Sequence, residues 1–386
     1  MRWLSALVFL GITPLGQAAD VKKLPANTWV EIKYTTAQPS DRADEKGRWV
    51  PAGWNKLVYD PDGKRVLFYD RWLDKKHGGY TIYGNCLFAF DPAAGKLTPV
   101  KIDNWTKKDV KGGGYRTLAL PDNETVPTPC PRHVYHAFDY VPKFKSVFLC
   151  NGANQSALDA NGKLVGHDLC NGAWRLDLKT SKWTKLDYPD RPTNQLDDAM
   201  AYCPDTHSLI YTGAGCQLWI LDLAKGKWRK AKRSPPRHSS MGRTIFYDPS
   251  QKRMLITGGG VLDAWMKGKA PEFRELYAFD PKTARIKRLA DAPTALYASH
   301  LAYDGKRRLF ITVADFNKKQ HPSGMFAYDP KKDTWFTIKP ANSIPPHKGW
   351  FGWMKICYAA DYDCLIGMIG DRFYAFRYEP AKGGRP

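Results

Sequence analysis

Imidazole and guanidinium groups recur at the head of successive β-rich runs, and they are the side chains here with most chemistry to offer. His133 and His136 form the one close histidine pair, and His238, His300 and His347 head later runs in the same way. Histidines from three strands can hold a metal with an open coordination position. As neutral rings the same residues bond backbone or act as acid–base groups, and His133, His136, His238 and His300 are the catalytic candidates. Arg132, Arg191, Arg237 and Arg243 add planar donors that grip a carboxylate or sulfate through two bonds. Trp54, Tyr135, Tyr297, Trp350 and Trp353 offer flat apolar faces for a sugar ring, with Lys348 a further cation. Together these residues suit an anionic sugar. No metal and no cofactor is expected.

Carboxylates arranged for catalysis are scarce. Asp197 and Asp198 are adjacent, but neighbouring strand residues point to opposite faces. Two carboxylates flanking a glycosidic bond would have to come from different runs, such as Asp197 with Glu275 or Asp315. No Gly-x-Ser-x-Gly nucleophile motif occurs. The runs Gly112-Gly113-Gly114 and Gly258-Gly259-Gly260 lack the Lys-Ser/Thr ending of a phosphate loop.

The elements that position these residues follow from a spacing. Five times an aspartate ends a short apolar run and an aromatic or branched residue follows six positions later. The pairs are Asp91/Leu97, Asp177/Trp183, Asp222/Trp228, Asp280/Ile286 and Asp329/Trp335. Turn formers and lysines lie between, as in Asp329-Pro330-Lys331-Lys332-Asp333-Thr334-Trp335, so a strand, a tight turn and a second strand recur. Upstream of each lies a hairpin, marked by Tyr59-Asp60, Phe138-Asp139, Tyr202-Cys203, Tyr247-Asp248 and Tyr303-Asp304, with a sixth at Tyr358. Six hairpins meet five Asp-to-aromatic pairs because the last unit ends at Phe373–Arg377, short of its outer strand. The segment near 28–34, with Trp29, has the pattern of that missing strand. Supplying it removes two free edges. The expectation is an all-β fold, a six-bladed β-propeller of four-stranded antiparallel blades closed by an N-terminal strand in the last blade. Seven blades would need a further unit hidden in residues 101–131.

Thr257-Gly258-Gly259, the aromatic-Asp strand ends, the Trp six residues on, and Pro131-Arg132 and Pro236-Arg237 resemble kelch repeats. Leu97 and Ile286 stand where such repeats carry Trp. The resemblance spans nearly the whole chain beyond residue 20 and points to the galactose-oxidase-like superfamily. That superfamily includes copper enzymes with particular Tyr and His ligands, a pattern with no match here. Its sialic-acid mutarotases and protein-binding members supply the other precedents.

In such a fold the first-to-second and third-to-fourth strand turns share one face, and here they are short. The long segments 71–84, 153–169, 261–275 and 315–324, with the connections 36–53 and 101–130, fall on the other. Long loops of this kind carry function, so the site is expected on that face, ringed by the basic and aromatic residues named above.

Bulk composition sets the remaining bounds. Arg2, an apolar stretch from Trp3 to Ile12 and Gly16-Gln17-Ala18-Ala19 read as a cleaved signal peptide over 1–19. One propeller domain follows over 20–380, with a disordered tail at 381–386. No membrane span is expected, and the location is secreted or periplasmic. Export and eight cysteines make disulfides plausible, with Cys357–Cys364 across a hairpin and Cys150–Cys170 as candidates. The alternative is that several are buried free thiols. A net charge of +21 favours acidic partners. Nucleic acid rests on charge alone and is disfavoured by export. An anionic glycan or envelope component, or a protein partner, remains.

Three readings follow. The first is an exported propeller that binds an anionic carbohydrate or cell-surface polymer through its long-loop face. The second is a protein-interaction scaffold. The third is a sugar-active enzyme (mutarotase, lyase or hydrolase) with a His/Arg-lined funnel. The absence of a catalytic motif leans away from the third.

Overall fold

One aspartate sets each outer hairpin. The Asp177 carboxylate accepts the backbone N–H groups of Lys179 and Thr180, both at 2.9 Å. Asp91, Asp222 and Asp329 hold the equivalent pairs, and Asp280 holds Lys282 N–H and the Thr283 hydroxyl. This local cap fixes the turn. Four residues on, the chain turns left-handed, at Gly95, Ser181, Gly226, Ala284 and Asp333. The register that emerges is the same each time, pairing Phe90 with Leu97, Leu176 with Trp183, Leu221 with Trp228, Phe279 with Ile286 and Tyr328 with Trp335. The six-residue spacing therefore reports a cross-strand pair between the residue just before the aspartate and the residue six after that aspartate. The inner hairpins share the left-handed residue, at Lys64, Lys145, His207, Lys252, Arg308 and Asp363, and in the first, fourth and fifth blades Asp60, Asp248 and Asp304 cap the turn as well.

The structure is a computed structural model. It describes residues 20–36, 47–50, 55–74, 81–100, 129, 132–151, 153–154, 157–158, 164–165, 172–186, 188–192, 198–213, 217–236, 242–259, 273–296, 300–314, 324–346 and 354–380. Residues 47–50, 70–74, 81–86, 132–133, 153–154, 157–158 and 164–165 are described as backbone alone.

Six four-stranded antiparallel blades form a propeller ring. From the axis outward the first is Val58–Asp60, Arg65–Asp74, Thr81–Asp91 and Lys96–Pro99. The second is Phe138–Val141, Ser146–Cys150, Ala173–Asp177 and Lys182–Leu186, and the third Ala199–Cys203, Ser208–Thr212, Leu218–Asp222 and Lys227–Lys230. The fourth is Ile245–Asp248, Arg253–Thr257, Leu276–Asp280 and Arg285–Arg288, and the fifth Ala302–Asp304, Leu309–Ala314, Gly324–Asp329 and Thr334–Ile338. In the sixth, Lys355–Ala359, Cys364–Ile369 and Arg372–Phe376 are joined by Trp29–Ile32, with Trp29 opposite Phe376 and Ile32 opposite Phe373. Among the described residues there is no α-helix, and no helix is long and apolar enough to cross a membrane.

Each blade buries both faces of its sheet, so its central strands read as unbroken apolar runs rather than alternating ones. In the first blade Val66, Phe68, Phe88 and Phe90 pack on Ile366 and Phe373 of the sixth. Leu67, Tyr69, Leu87 and Ala89 point the other way, onto Val147 and Trp174 of the second. The remaining cores lie between blades two and three, three and four, four and five, and five and six.

Two expectations are corrected. The segments 71–84 and 36–53 are not structureless, because the second and third strands of the first blade run on through Trp72–Tyr83 and Leu73–Ile82 pairs, and Gly47–Val50 pairs onto them. Likewise Ala153–Asn154 pairs with Arg132–His133, and Ala157–Leu158 with Leu164–Val165. Long connections meet the backbone's need for partners by pairing with one another. Second, the inner hairpin of the second blade turns after Tyr140-Val141, not Phe138-Asp139, since Val141 faces Ser146 as Asp60 faces Arg65.

Trp228, 1% exposed, fills the core between the second and third blades, edge-on to Tyr211. Trp335, at the same position of the fifth blade, is half-buried and donates its indole N–H to Ala290 O at 3.0 Å. Trp228→Ala is expected to cost about 3–5 kcal/mol and Trp335→Ala about 1–2 kcal/mol, measured by denaturant unfolding.

Candidate functional site

The residues that lead into the innermost strands meet at the axis. Lys56 of the first blade, His136 of the second, His300 of the fifth and Lys355 of the sixth are all buried, the two lysines at 6% and 2% exposure. Lysine is almost never buried unless its charge is matched. Lys56 Nζ reaches across two neighbours, 3.3 Å from Asp139 Oδ1 of the second blade and donating to Met200 O of the third at 3.0 Å. The other Asp139 oxygen accepts Tyr202 N–H at 2.8 Å. Asp139 is free for this because the hairpin turns two residues beyond it.

His136 and His300 belong to blades on opposite sides of the ring, yet their ring centroids lie 4.8 Å apart. Lys56 and Lys355 lie close enough to act on both rings by charge. His136 is held in place by its backbone, which forms a parallel bridge to the third blade through His136 N–H to Asp198 O at 2.9 Å and Met200 N–H to His136 O at 3.0 Å. Its Nδ1 has no hydrogen-bond partner among the described residues. Burial, then the charges of Lys56 and Lys355, push His136 down to about 3. Burial, His136 and the same lysines hold His300 well below its usual value. Both rings are neutral at pH 7.

The other described candidates sit apart. Arg243 is buried and donates to Pro236 O. Arg191 lies over Gly172, where a methyl group would come within 3.1 Å of its Nη1. Tyr135 is buried in a left-handed conformation, φ 47°, rare for a bulky side chain. Asp198 is buried and turned toward Tyr211, whose hydroxyl it helps to hold protonated. Glu275 stands against Gly258, where an added Cβ would come within 2.8 Å of its carboxylate. Trp54, Asp197, Arg237, His238, Tyr297, Asp315, His347, Lys348, Trp350 and Trp353 lie outside the described residues, and Arg132 and His133 are described as backbone alone.

Sequence reasoning missed Lys56, Lys355 and Asp139. The signal is a second spacing, because Lys56, His300 and Lys355 each stand three residues before an inner-strand tyrosine, at Tyr59, Tyr303 and Tyr358. Cys357 and Cys364 are buried free thiols rather than a bridge. In the register Cys357 faces Ile366 and Cys364 faces Ala359, so the two are offset and not opposed. Cys170, the expected partner of Cys150, lies outside the described residues.

On the short-hairpin face the channel opens into a pit of about 380 Å³. Lys56, Asp139 and His300 lie at its floor and the inner-strand tyrosines around it. Several of those tyrosines reach the hairpin of the preceding blade: Tyr140 donates to Asp62 at 2.8 Å, Tyr59 to Asp361 at 2.7 Å, and Tyr247 to Asp205. Between the fifth and sixth blades Arg307 binds Asp363 at 2.6 Å, which with Lys306 and Tyr358 holds that carboxyl down to about 2.

No family model and no curated protein matches the chain. Among solved structures, it is similar to one described as a novel fungal alcohol oxidase with catalytic diversity among the AA5 family, in complex with copper. The identity is 12% and the TM-score 0.49, over 86% of this chain and 64% of that one. This chain thus spans under two thirds of that protein's length. The axial residues here do not fit copper. Lys56 and Lys355 act by charge on both histidines, and no group of three His, Cys, Asp or Glu gathers among the described residues.

The neutral histidines make a pH prediction. Between pH 6.5 and about 3 the unfolded chain binds a proton at His136 that the folded chain does not. Stability therefore falls as pH drops through that window, by about 1.4 kcal/mol per unit for each such group. His300 adds to the fall in the same direction. Denaturation midpoints between pH 7 and 5 should fall in the wild type and flatten in His136→Asn/His300→Asn.

Proposed function

We propose that this chain is an exported, kelch-like binding propeller that captures an anionic carbohydrate or cell-surface polymer through the face carrying its long connections. One observation of the sequence carries the reading: basic and aromatic residues, Arg132, Arg237, Lys348, Trp54 and Trp350 among them, lead the inner-strand runs and flank the long connections. The net charge of +21 supports it, since such an excess draws an acidic polymer in over distances longer than any contact. Arg132, Arg237 and Lys348 precede inner strands in the chain and are the proposed clamps on carboxylate or sulfate groups, with Trp54, Trp350 and Trp353 stacking on sugar rings.

His136 itself is disfavoured as an acid–base group. A general base works best with a pKa near the working pH, and His136 at about 3 is too weakly basic to take a proton efficiently. Its role in this reading is to fill the axis without adding charge.

The test uses heparin and polygalacturonate as sulfated and carboxylated probes, with dextran as the neutral control. Retention of the full chain on either acidic polymer at low salt, lost on raising ionic strength, is expected. Arg132→Ala/Arg237→Ala/Lys348→Ala should weaken binding about tenfold or more. Equal retention on dextran, or a triple variant that binds like the wild type, would overturn the reading. Capture of an envelope protein instead would favour the scaffold.

A further inference from the structure

We infer that the short-hairpin face holds a second binding site, an axial pit that takes one six-membered ring bearing a single carboxylate. The site lies at the opposite end of the channel from the polymer face, and it stands or falls separately from that proposal. Its volume, about 380 Å³, falls within the range of small-molecule sites, and its make-up is that of such sites: apolar walls with a few polar groups at one end.

The walls come from Phe246 and from Tyr59, Tyr140, Tyr247, Tyr303 and Tyr358. The hydroxyls of Tyr59, Tyr140 and Tyr358 are already engaged by Asp361, Asp62 and Asp363. What these residues leave for a guest is carbon surface, suited to a flat ring. The floor supplies the polar end. An ammonium has three donors. Lys56 places one on Met200 O and one toward Asp139, and has no third acceptor among the described residues. His300 lines the same floor as a neutral imidazole. A carboxylate at the bottom of the shaft would take the spare ammonium donor. Asp139 sets the limit of one charge, because a doubly charged head would bring a second negative group against its carboxylate. An uncharged ring would fill the shaft and leave the Lys56 donor unmet.

Benzoate and glucuronate carry this head on an aromatic and on a sugar ring, and benzyl alcohol and glucose carry the rings without it. Saturation-transfer NMR and calorimetric titration on the full chain separate the cases. At least one acid is expected to bind, about tenfold or more tighter than its uncharged counterpart. Which acid binds identifies the ring. Ala360, exposed in the hairpin at the mouth, lines the pit without touching the Lys56–Asp139 pair. Ala360→Trp should abolish binding with the unfolding midpoint unchanged, and Lys56→Met should weaken it about tenfold in protein that still folds. No saturation by either acid at about 10 mM overturns the proposal. So does binding that is unaltered in Ala360→Trp, or equal affinity for an acid and its uncharged counterpart.

Discussion

Every blade of this protein buries both faces of its sheet, and that single requirement organises the rest. A lone blade would expose two apolar surfaces, so each needs a neighbour on either side, and only a ring gives all six one. The same requirement keeps ionised groups out of the blade interiors, where the buried polar side chains are small hydroxyls such as Thr257 and Thr312. Phe68, Phe88 and Phe90 on one side of the first blade and Leu67 and Leu87 on the other leave no room for chemistry. Among the described residues charge collects at the ends of the strands, on the exposed outer strands and along the axis where six inner edges meet. There the buried lysines and histidines are found.

At the axis the electrostatics are arranged by matching rather than by solvation. Lys56 is tolerated because Asp139 and a backbone carbonyl replace the water it loses. His136 and His300 answer the same environment by giving up their protons. Towards the hairpins the polar contacts are of another kind. Tyrosine hydroxyls and arginines reach from blade to blade onto aspartates of the tight turns. These bonds tie neighbours together at the one level where the apolar cores thin out into solvent.

The architecture was legible because the turn chemistry is strict. An aspartate that caps two N–H groups and a left-handed residue four positions on fix the hairpin length, and a fixed length survives even where Leu97 or Ile286 replaces tryptophan. The second inner hairpin escaped because Phe138-Asp139 imitates the signature of Tyr140-Val141 two residues early. The strands within the long connections carry no period of their own; they form because backbone donors at those depths need acceptors. The site was legible only in part. His136 and His300 announced themselves by residue type, whereas Lys56 and Lys355 looked like two of the chain's many surface lysines. A lysine's burial depends on what the other blades bring to it, and the spacing of three before an inner-strand tyrosine marks only where it enters its strand.

The meeting of His136 and His300 across the ring has one more consequence. His300 lines the pit, and His136, beside it, is bridged through its backbone to the third blade. An occupant of the pit that moved the His300 ring would thus be felt in blades on the far side of the axis, and any such coupling would be reciprocal.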